Sequence, residues 1–416
     1  MTPITWFLGV DWGQETHVVC LVNADGIVVG TRTVAHTVDA MTAAVQWVQE
    51  QSGAAPEAVG VAIETPRGVV VHALLERGFS VFALNPKQLD RFRDRFTAAG
   101  AKDDRRDAWA LADGLRTDRR AFRVVRPEPA HLVLLREWVR VFEDLQADEQ
   151  RLVNRLREQL TRVDAPWLSL SPAASDPWVW TILARASDPD AWPTLPRRTI
   201  TAALREHRIR RHTPEAVVAA LRQPRLPAAP GVGAAVAARM ATLVPQLRLV
   251  HQQRLDAERQ IDGILAQLAT ETLPDEPREH RDVQILLSLP GVGRMVTATM
   301  LTEAAGPLAT RDYDRLRTYT GAAPVTKRSG KRTPHVQMRY ACHPRLRQAL
   351  YHWAKNSIQH DDAARCYYRQ LRERGHGHAR ALRSVADRWL RILITMLRTD
   401  TLYDPTRPQK ILATAA

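Results

Sequence analysis

Four acidic residues, Asp11, Glu64, Asp104 and Asp107, constrain this chain more than any other feature, because each falls at the end of an element its neighbours must form. Residues 6–34 read as three strands, WFLGV, HVVCLVN and GIVVGTRTV, separated by the turns DWGQET and ADG. Their β-branched content and the Asp and Gly at the breaks support a meander. Asp11 ends the first strand. Thr37 to Gln51 has helical periodicity through Met41, Val45, Trp47 and Val48, and AVGVAIE then reads as a buried strand ending on Glu64. A helix through VVVHALLERG, the strand SVFAL and a helix opened by Asn85-Pro86 follow. The stretch AAGAKDDRRDAWALADGLR, Ala98 to Arg116, is rich in Ala, Leu and Arg and should be helical, so Asp104 and Asp107 share a face. Asp103 competes with Asp104 for that place; the three-residue spacing to Asp107 favours Asp104.

The order β-β-β-α-β-α-β-α is the ribonuclease-H-like plan, a mixed sheet with helices packed on it. In that plan the four acids converge beside the sheet, where they would hold two hard cations, Mg²⁺ with Mn²⁺ as an alternative. Two such ions about 4 Å apart activate an attacking oxygen and stabilise the leaving one in phosphodiester cleavage. Alone, Asp104 and Asp107 would read as a solvated helix face paired with Arg105 and Arg106. Asp11 and Glu64 reverse that preference.

No apolar run reaches membrane-spanning length, and the N-terminus lacks the basic region and cleavage site of a signal peptide. Three scattered cysteines, Cys20, Cys342 and Cys366, form no disulfide or zinc pattern. A reduced, cytoplasmic protein without a membrane partner is expected. The net charge of +14 is uneven: residues 1–280 hold 35 basic and 35 acidic residues, whereas 281–416 hold 24 and 10. The C-terminal third thus carries the whole excess, which points to a nucleic-acid partner.

From Leu132 to Val163, the residues Leu135, Trp138, Phe142, Leu145, Leu152, Leu156 and Leu160 make a heptad-like seam interrupted at Glu149. A second long helix, about Ala234 to Leu268, carries Leu247, Val250, Ile261, Ile264 and Leu268 on one stripe, with a kink expected at Pro245. The two can pair within one chain or dimerise as a coiled coil. Residues 164–233, rich in Pro, Trp and Arg, read as short helices and loops. Thr272 to Asp282 reads as a proline-broken acidic linker. Three regions are expected: an α/β domain at 1–127, a helical coiled-coil region at 128–280 and a mainly helical basic domain at 281–416.

In the last region, ILLSLPGVGRMVTATM reads as a helix–hairpin–helix. Its Gly291 and Gly293 would let the backbone approach a phosphate, and Arg294 opens the second helix. The segment Thr320 to Lys331 then sets Ser329 on a loop with Gly330, among Lys327, Arg328, Lys331 and Arg332. Cations there would hold a phosphate and stabilise developing charge. On chemistry alone Ser329 reads as a phosphate hydrogen-bond donor or an ordinary loop serine. Three amphipathic helices, roughly 344–357, 361–374 and 378–398, finish the chain. His343, His360, His376 and His378 lack metal-ligand spacing and read as surface residues.

Together, GVDWGQETHVV, AIETPRG, NPKQLDRFRDRF with AKDDRRDAWALAD, LLSLPGVG and YTGAAPVTKRSGK resemble the insertion-sequence family one-ten. These are transposases with an N-terminal DEDD domain like the Holliday-junction resolvases and a C-terminal domain bearing a catalytic serine. The resemblance implies that Asp11, Glu64, Asp104 and Asp107 bind metal and that Ser329 attacks DNA to leave a 5′-phosphoserine link. It further implies dimers that pair into tetramers, a structured guide RNA that pairs with donor and target DNA, and action at the nucleoid. Some members have a glycine pair after the serine, where this chain has Gly330-Lys331. Two rival readings remain: a resolvase-like nuclease using metal-activated water, and a non-catalytic basic nucleic-acid-binding protein.

Overall fold

The computed structural model describes residues 3–84, 88–90, 92, 103–270, 279–327 and 335–405. The chain divides into two compact units, Met1–Pro129 and Ala130–Ala416.

The first unit is built on a mixed six-stranded sheet. Strands β1 (Trp6–Asp11), β2 (Thr16–Val22) and β3 (Val28–Ala35) form the expected antiparallel meander. After helix α1 (Val38–Ser52), β4 (Val59–Ile63) joins β1 in parallel. Helix α2 (Val69–Glu76) leads to β5 (Ser80–Ala83), parallel to β4; helix α3 (Asp104–Thr117) precedes a short edge strand, β6 (Arg123–Val124). The strand order β3-β2-β1-β4-β5-β6 fits the ribonuclease-H-like plan. Alternation along the strands sends successive side chains to opposite faces. Leu8, Val10, Val19, Leu21, Val61 and Ile63 pack under α1 and α2. Phe7, Val18, Cys20, Ala62 and Phe82 pack with Ala108, Leu111, Ala112 and Leu115 of α3. The helix expected from Asn85-Pro86 begins outside the described residues.

Gly9 sets the distance between α3 and the sheet. A Cβ at Gly9 would lie 1.7 Å from the carbonyl oxygen of Ala108 and 2.8 Å from the amide nitrogen of Ala112. Both are backbone atoms, so no rotamer change relieves the overlap.

The second unit is helical apart from one small hairpin among the described residues. Its axis is the pair α4 (Ala130–Arg162) and α5 (Val232–Thr270). Leu132, Leu135, Val139 and Phe142 share a core with Ile261, Ile264, Leu265 and Leu268. Leu152, Leu156 and Leu160 share another with Val236, Met240, Leu243 and Leu247. The start of each helix meets the end of the other, so the heptad seam is satisfied within the chain as an antiparallel pair. Helix α5 is continuous through Pro245.

At the break in the seam, Glu149 accepts from Arg254 Nε at 2.7 Å and lies 3.2 Å from His251 Nδ1. Burial pushes its carboxyl upward, but the hydrogen bonds from His251 and Arg254 outweigh it and hold the group below the usual glutamate range.

Between the long helices, short segments including Pro177–Leu183, Arg197–Glu206 and Pro214–Leu221 wrap a core of Trp167, Trp178, Trp180 and Trp192. The core of the paired helices' other end continues into α6 (Glu279–Ser288), α7 (Arg294–Glu303), α8 (Pro344–His360), α9 (Asp362–Glu373) and α10 (His378–Thr399). The packing therefore does not divide at 280/281. Asp282, expected in a linker, is buried in α6 and takes both terminal nitrogens of Arg311, at 2.6 and 2.8 Å. The linker residues 271–278 lie outside the described residues.

Glu149→Gln is expected to cost about 2–3 kcal/mol in urea denaturation at neutral pH, since it removes the charge from two charge-assisted hydrogen bonds. A depressed carboxylate pKa stabilises above the unfolded pKa and loses that contribution as pH falls through the folded value. The deficit of the variant should therefore shrink in acid. Gly9→Val is expected to destabilise the first unit by more than about 4 kcal/mol, read as an early melting transition.

Candidate active site

The acids of the first unit are brought together by register. Val10 of β1 lies opposite Ile63 of β4. Asp11 is the last residue of β1 and Glu64 is the residue that follows β4, so both stand at the carboxyl ends of two paired central strands. Asp11 follows the pleat of Gly9 and so belongs to the face that α3 covers. Carboxyl ends of parallel strands are where α/β sheets open to ligands.

Helix α3 runs opposite to those strands. Leu115 sits over Gly60, which pairs with Phe7; Ala108 and Ala112 sit over Gly9. Two further strand residues, a rise of about 6.7 Å, reach Asp11. The same distance back along α3 is between four and five residues at about 1.5 Å each, which reaches its first turn. That turn carries Asp104 and Asp107. Asp107 is 2% exposed and Asp104 is exposed, while Asp11 and Glu64 are half-buried.

Asp103 and Asp104 differ in their places on α3. Its backbone is extended, and its carboxylate accepts from the amide of Arg105 at 3.0 Å, so it is the N-cap of α3. The N-terminal turn also favours acids electrostatically, so the macrodipole stabilises Asp104 and Asp107 whether or not a cation is bound.

Four carboxylates form an all-oxygen donor set, the chemistry a hard divalent cation requires. Their elements bring them to one edge, but the side chains do not form a closed cage. Among the described residues, no three His, Cys, Asp or Glu side chains stand close enough together to enclose an ion.

The sequence reading missed a histidine pair beside Asp11. His17, 1% exposed, accepts at Nδ1 from the Gly13 amide at 3.3 Å, and its Nε2 lies 2.9 Å from His36 Nδ1. That arrangement puts the His17 proton on Nε2, donated to His36. Burial, then the neighbouring His36, pushes the His17 pKa down, which keeps the ring neutral and able to accept. Trp12 stacks on His17 at 6.4 Å. The turn after Asp11 is thereby pinned to β2 and the end of β3. Because the two histidines are 19 residues apart, no local motif announces them.

In the second unit, α6 and α7 flank Leu289-Pro290-Gly291-Val292-Gly293. Gly291 has φ of 76°, and a Cβ there would lie 2.4 Å from the amide nitrogen of Ser357 in α8. Trp353 Nε1 donates to the Pro290 carbonyl at 3.1 Å. Gly291 is therefore required for close packing on α8, not only for any phosphate approach. Gly293 is exposed at the start of α7, and Arg294 is ion-paired with Asp262 and Glu258.

Strands β7 (Val325–Lys327) and β8 (His335–Gln337) pair antiparallel, with Lys327 opposite His335. Ser329, Arg328, Gly330, Lys331 and Arg332 lie between them, outside the described residues. Ahead of β7, Gly321 adopts φ of 80°, and a Cβ there would fall 2.8 Å from the Cys342 sulfur. His343, expected at the surface, is half-buried: its Nε2 lies 3.3 Å from the buried Glu303, which also faces Arg140 at 3.5 Å. No helix among the described residues is long and apolar enough to cross a membrane.

Comparison with known proteins agrees with both halves of this description. Residues 8–164 match a transposase profile of the DEDD type of IS110, and residues 283–369 match the profile described as "Transposase IS116/IS110/IS902 family". The "Mini-circle putative transposase for IS117" of Streptomyces coelicolor is 30% identical over 97% of this chain and 96% of its own length. An uncharacterized protein of insertion element IS116 from Streptomyces clavuligerus is 27% identical over 97% of both chains. A protein of insertion element IS110 from Streptomyces coelicolor is 29% identical over 74% of this chain and 73% of its own. An α/β unit followed by a basic helical one, matched in order and nearly end to end, makes this chain an enzyme of the IS110 family of insertion-sequence transposases.

Proposed function

We propose that the protein cuts and rejoins DNA strands of an insertion sequence through a covalent serine intermediate, assisted by the acidic edge of its first unit. The observation that supports this reading is that Asp11 and Glu64 stand at the ends of two paired parallel strands while α3, lying against Gly9 and running opposite to them, directs its first turn toward the same edge. The macrodipole of α3 accounts for Asp104 and Asp107, but it does not reach the strand-end acids Asp11 and Glu64, and a cation shared by all four would offset their mutual repulsion.

Asp11, Glu64, Asp104 and Asp107 would hold a divalent cation, Mg²⁺ in the first instance. When bound, it supplies Lewis-acid polarisation of a phosphate oxygen. Ser329 Oγ attacks the scissile phosphorus, a serine–phosphate bond forms at the 5′ end, and the bond to the 3′ oxygen breaks. The serine proton is passed to a base or water, and the departing 3′ oxygen takes up a proton. Reversal with a different 3′-hydroxyl rejoins the strands. Lys327, Arg328, Lys331 and Arg332 supply cationic hydrogen-bond donors for the phosphate. His17 positions the Asp11–Gly13 turn without touching the reacting atoms. A structured guide RNA selects the sites, and dimers that pair into tetramers bring the strands together; the basic excess of residues 281–416 supports the nucleic-acid part of this reading.

Incubating the purified protein with Mg²⁺, RNA transcribed from the element and end-labelled DNA, then denaturing it, should give label that migrates with protein until protease treatment. Ser329→Ala should abolish that adduct. Free cleaved DNA that survives the change would establish a water-using nuclease instead. Asp11→Asn should lower strand cleavage by about 10²-fold or more with the melting temperature nearly unchanged. Cleavage at the normal rate would remove the acidic edge from the mechanism.

A further inference from the structure

Several arginines of the second unit that face its interior are neutralised: Arg311 by Asp282, Arg317 by Asp387, Arg345 by Glu143. Arg347 and Arg383 are different. They line a cavity of about 430 Å³ between α8 and α10, bordered by residues 320–322 before β7 and by Met338 after β8. No acidic residue lines it. Among the described residues, neither arginine has a carboxylate within ion-pair distance, and the Arg383 guanidinium donates to the Met338 sulfur at 3.5 Å, a weak acceptor. Burial, then the neighbouring Arg380, pushes the Arg383 pKa down against a smaller upward effect of Tyr340. A partly desolvated cation beside a like charge is costly to hold, and an anion entering the cavity would recover that cost.

We propose that this cavity is a phosphodiester-binding site in which Arg347 and Arg383 clamp one backbone phosphate of a nucleic-acid strand. The inference rests on the reading of the protein as an enzyme acting on DNA. Guanidinium forks match phosphate oxygens in pairs, and two arginines from different helices can grip a phosphate from two sides. The wall is apolar at Leu350, Leu382 and Ala386, which suits the sugar edge of a strand. The surrounding excess of positive charge selects a polyanion over an isolated small anion.

The wild-type full chain is treated with phenylglyoxal, with and without a DNA duplex or an RNA hairpin of equal length, and labelled arginines are mapped by mass spectrometry. Protection of Arg347 and Arg383 is expected, and whichever polymer gives it identifies the strand. No protection by either polymer overturns the proposal. In parallel, the double variant Arg347→Gln with Arg383→Gln should weaken binding about 10-fold and reduce the salt slope by about 1 to 2. Arg369→Gln, which removes an exposed charge from α9, should change the slope less. Equal effects would reduce the cavity to general charge and refute the clamp. Should the double variant misfold, the wild-type protection decides alone. Protection is measured without Mg²⁺ or turnover, so loss of the serine adduct leaves it standing. Adduct formation without protection would retain the proposed function and remove the site.

Discussion

The contact of α3 with β1 through Gly9 governs the first unit. With no side chain between them, the Ala108 carbonyl and the Ala112 amide lie directly on the strand, and the helix is locked in height and direction along the sheet. A helix held a few ångströms farther off would still bury Leu111 and Leu115 but would carry its first turn away from the strand ends. The acidic edge therefore depends on a residue with no chemistry of its own. Small residues on the facing helix, Ala108 and Ala112, complete the fit.

The second unit is organised by a different constraint, the antiparallel pairing of two helices of 33 and 39 residues. Each is too long to be buried by one small core, so two cores form along the pair. One is filled with tryptophans from the intervening segment and the other with the C-terminal helices. Glu149 lies between them with Arg254 and His251. A polar pair at that point is incompatible with a one-residue slip of the helices, which would strand the carboxylate against apolar side chains. The same economy recurs at Arg311 with Asp282, where a bidentate pair ties α6 to the turn after residue 309. Against that background the arginines of the α8–α10 cavity are informative, because Arg311, Arg317 and Arg345 of the same unit each have a carboxylate partner.

The order of strands and helices, the edges on which Asp11 and Glu64 fall and the span of the long helices were all legible, since each follows from local periodicity and turn chemistry. Residues 130–162 and 232–270 differ from the expected helices by only a few residues. Other features were not legible. Asp103 and Asp104 are chemically identical neighbours, and only the extended backbone at Asp103 separates the cap from the first turn. His17 and His36 are distant in sequence and become partners through the β2–β3 register. Gly291 read as a phosphate-approach glycine, yet the backbone of α8 presses against it. The supposed linker at Asp282 was misjudged because acidic, proline-flanked sequence resembles solvent-exposed chain, whereas a single buried arginine makes that aspartate interior.

By itself the sequence determined which residues are acidic, which elements they end and that the positive excess belongs to the last third. These are properties of composition and short-range spacing, where 2.0- and 3.6-residue periods and cap residues act. Tertiary structure alone decided that the two long helices satisfy one another within one chain and that Arg347 and Arg383 line one cavity that no acidic residue lines. It also decided that α3 lies close enough to β1 to bring its first turn to the strand ends. Those outcomes depend on which surfaces exclude water from one another and on backbone distances across tens of residues, and no local pattern encodes either.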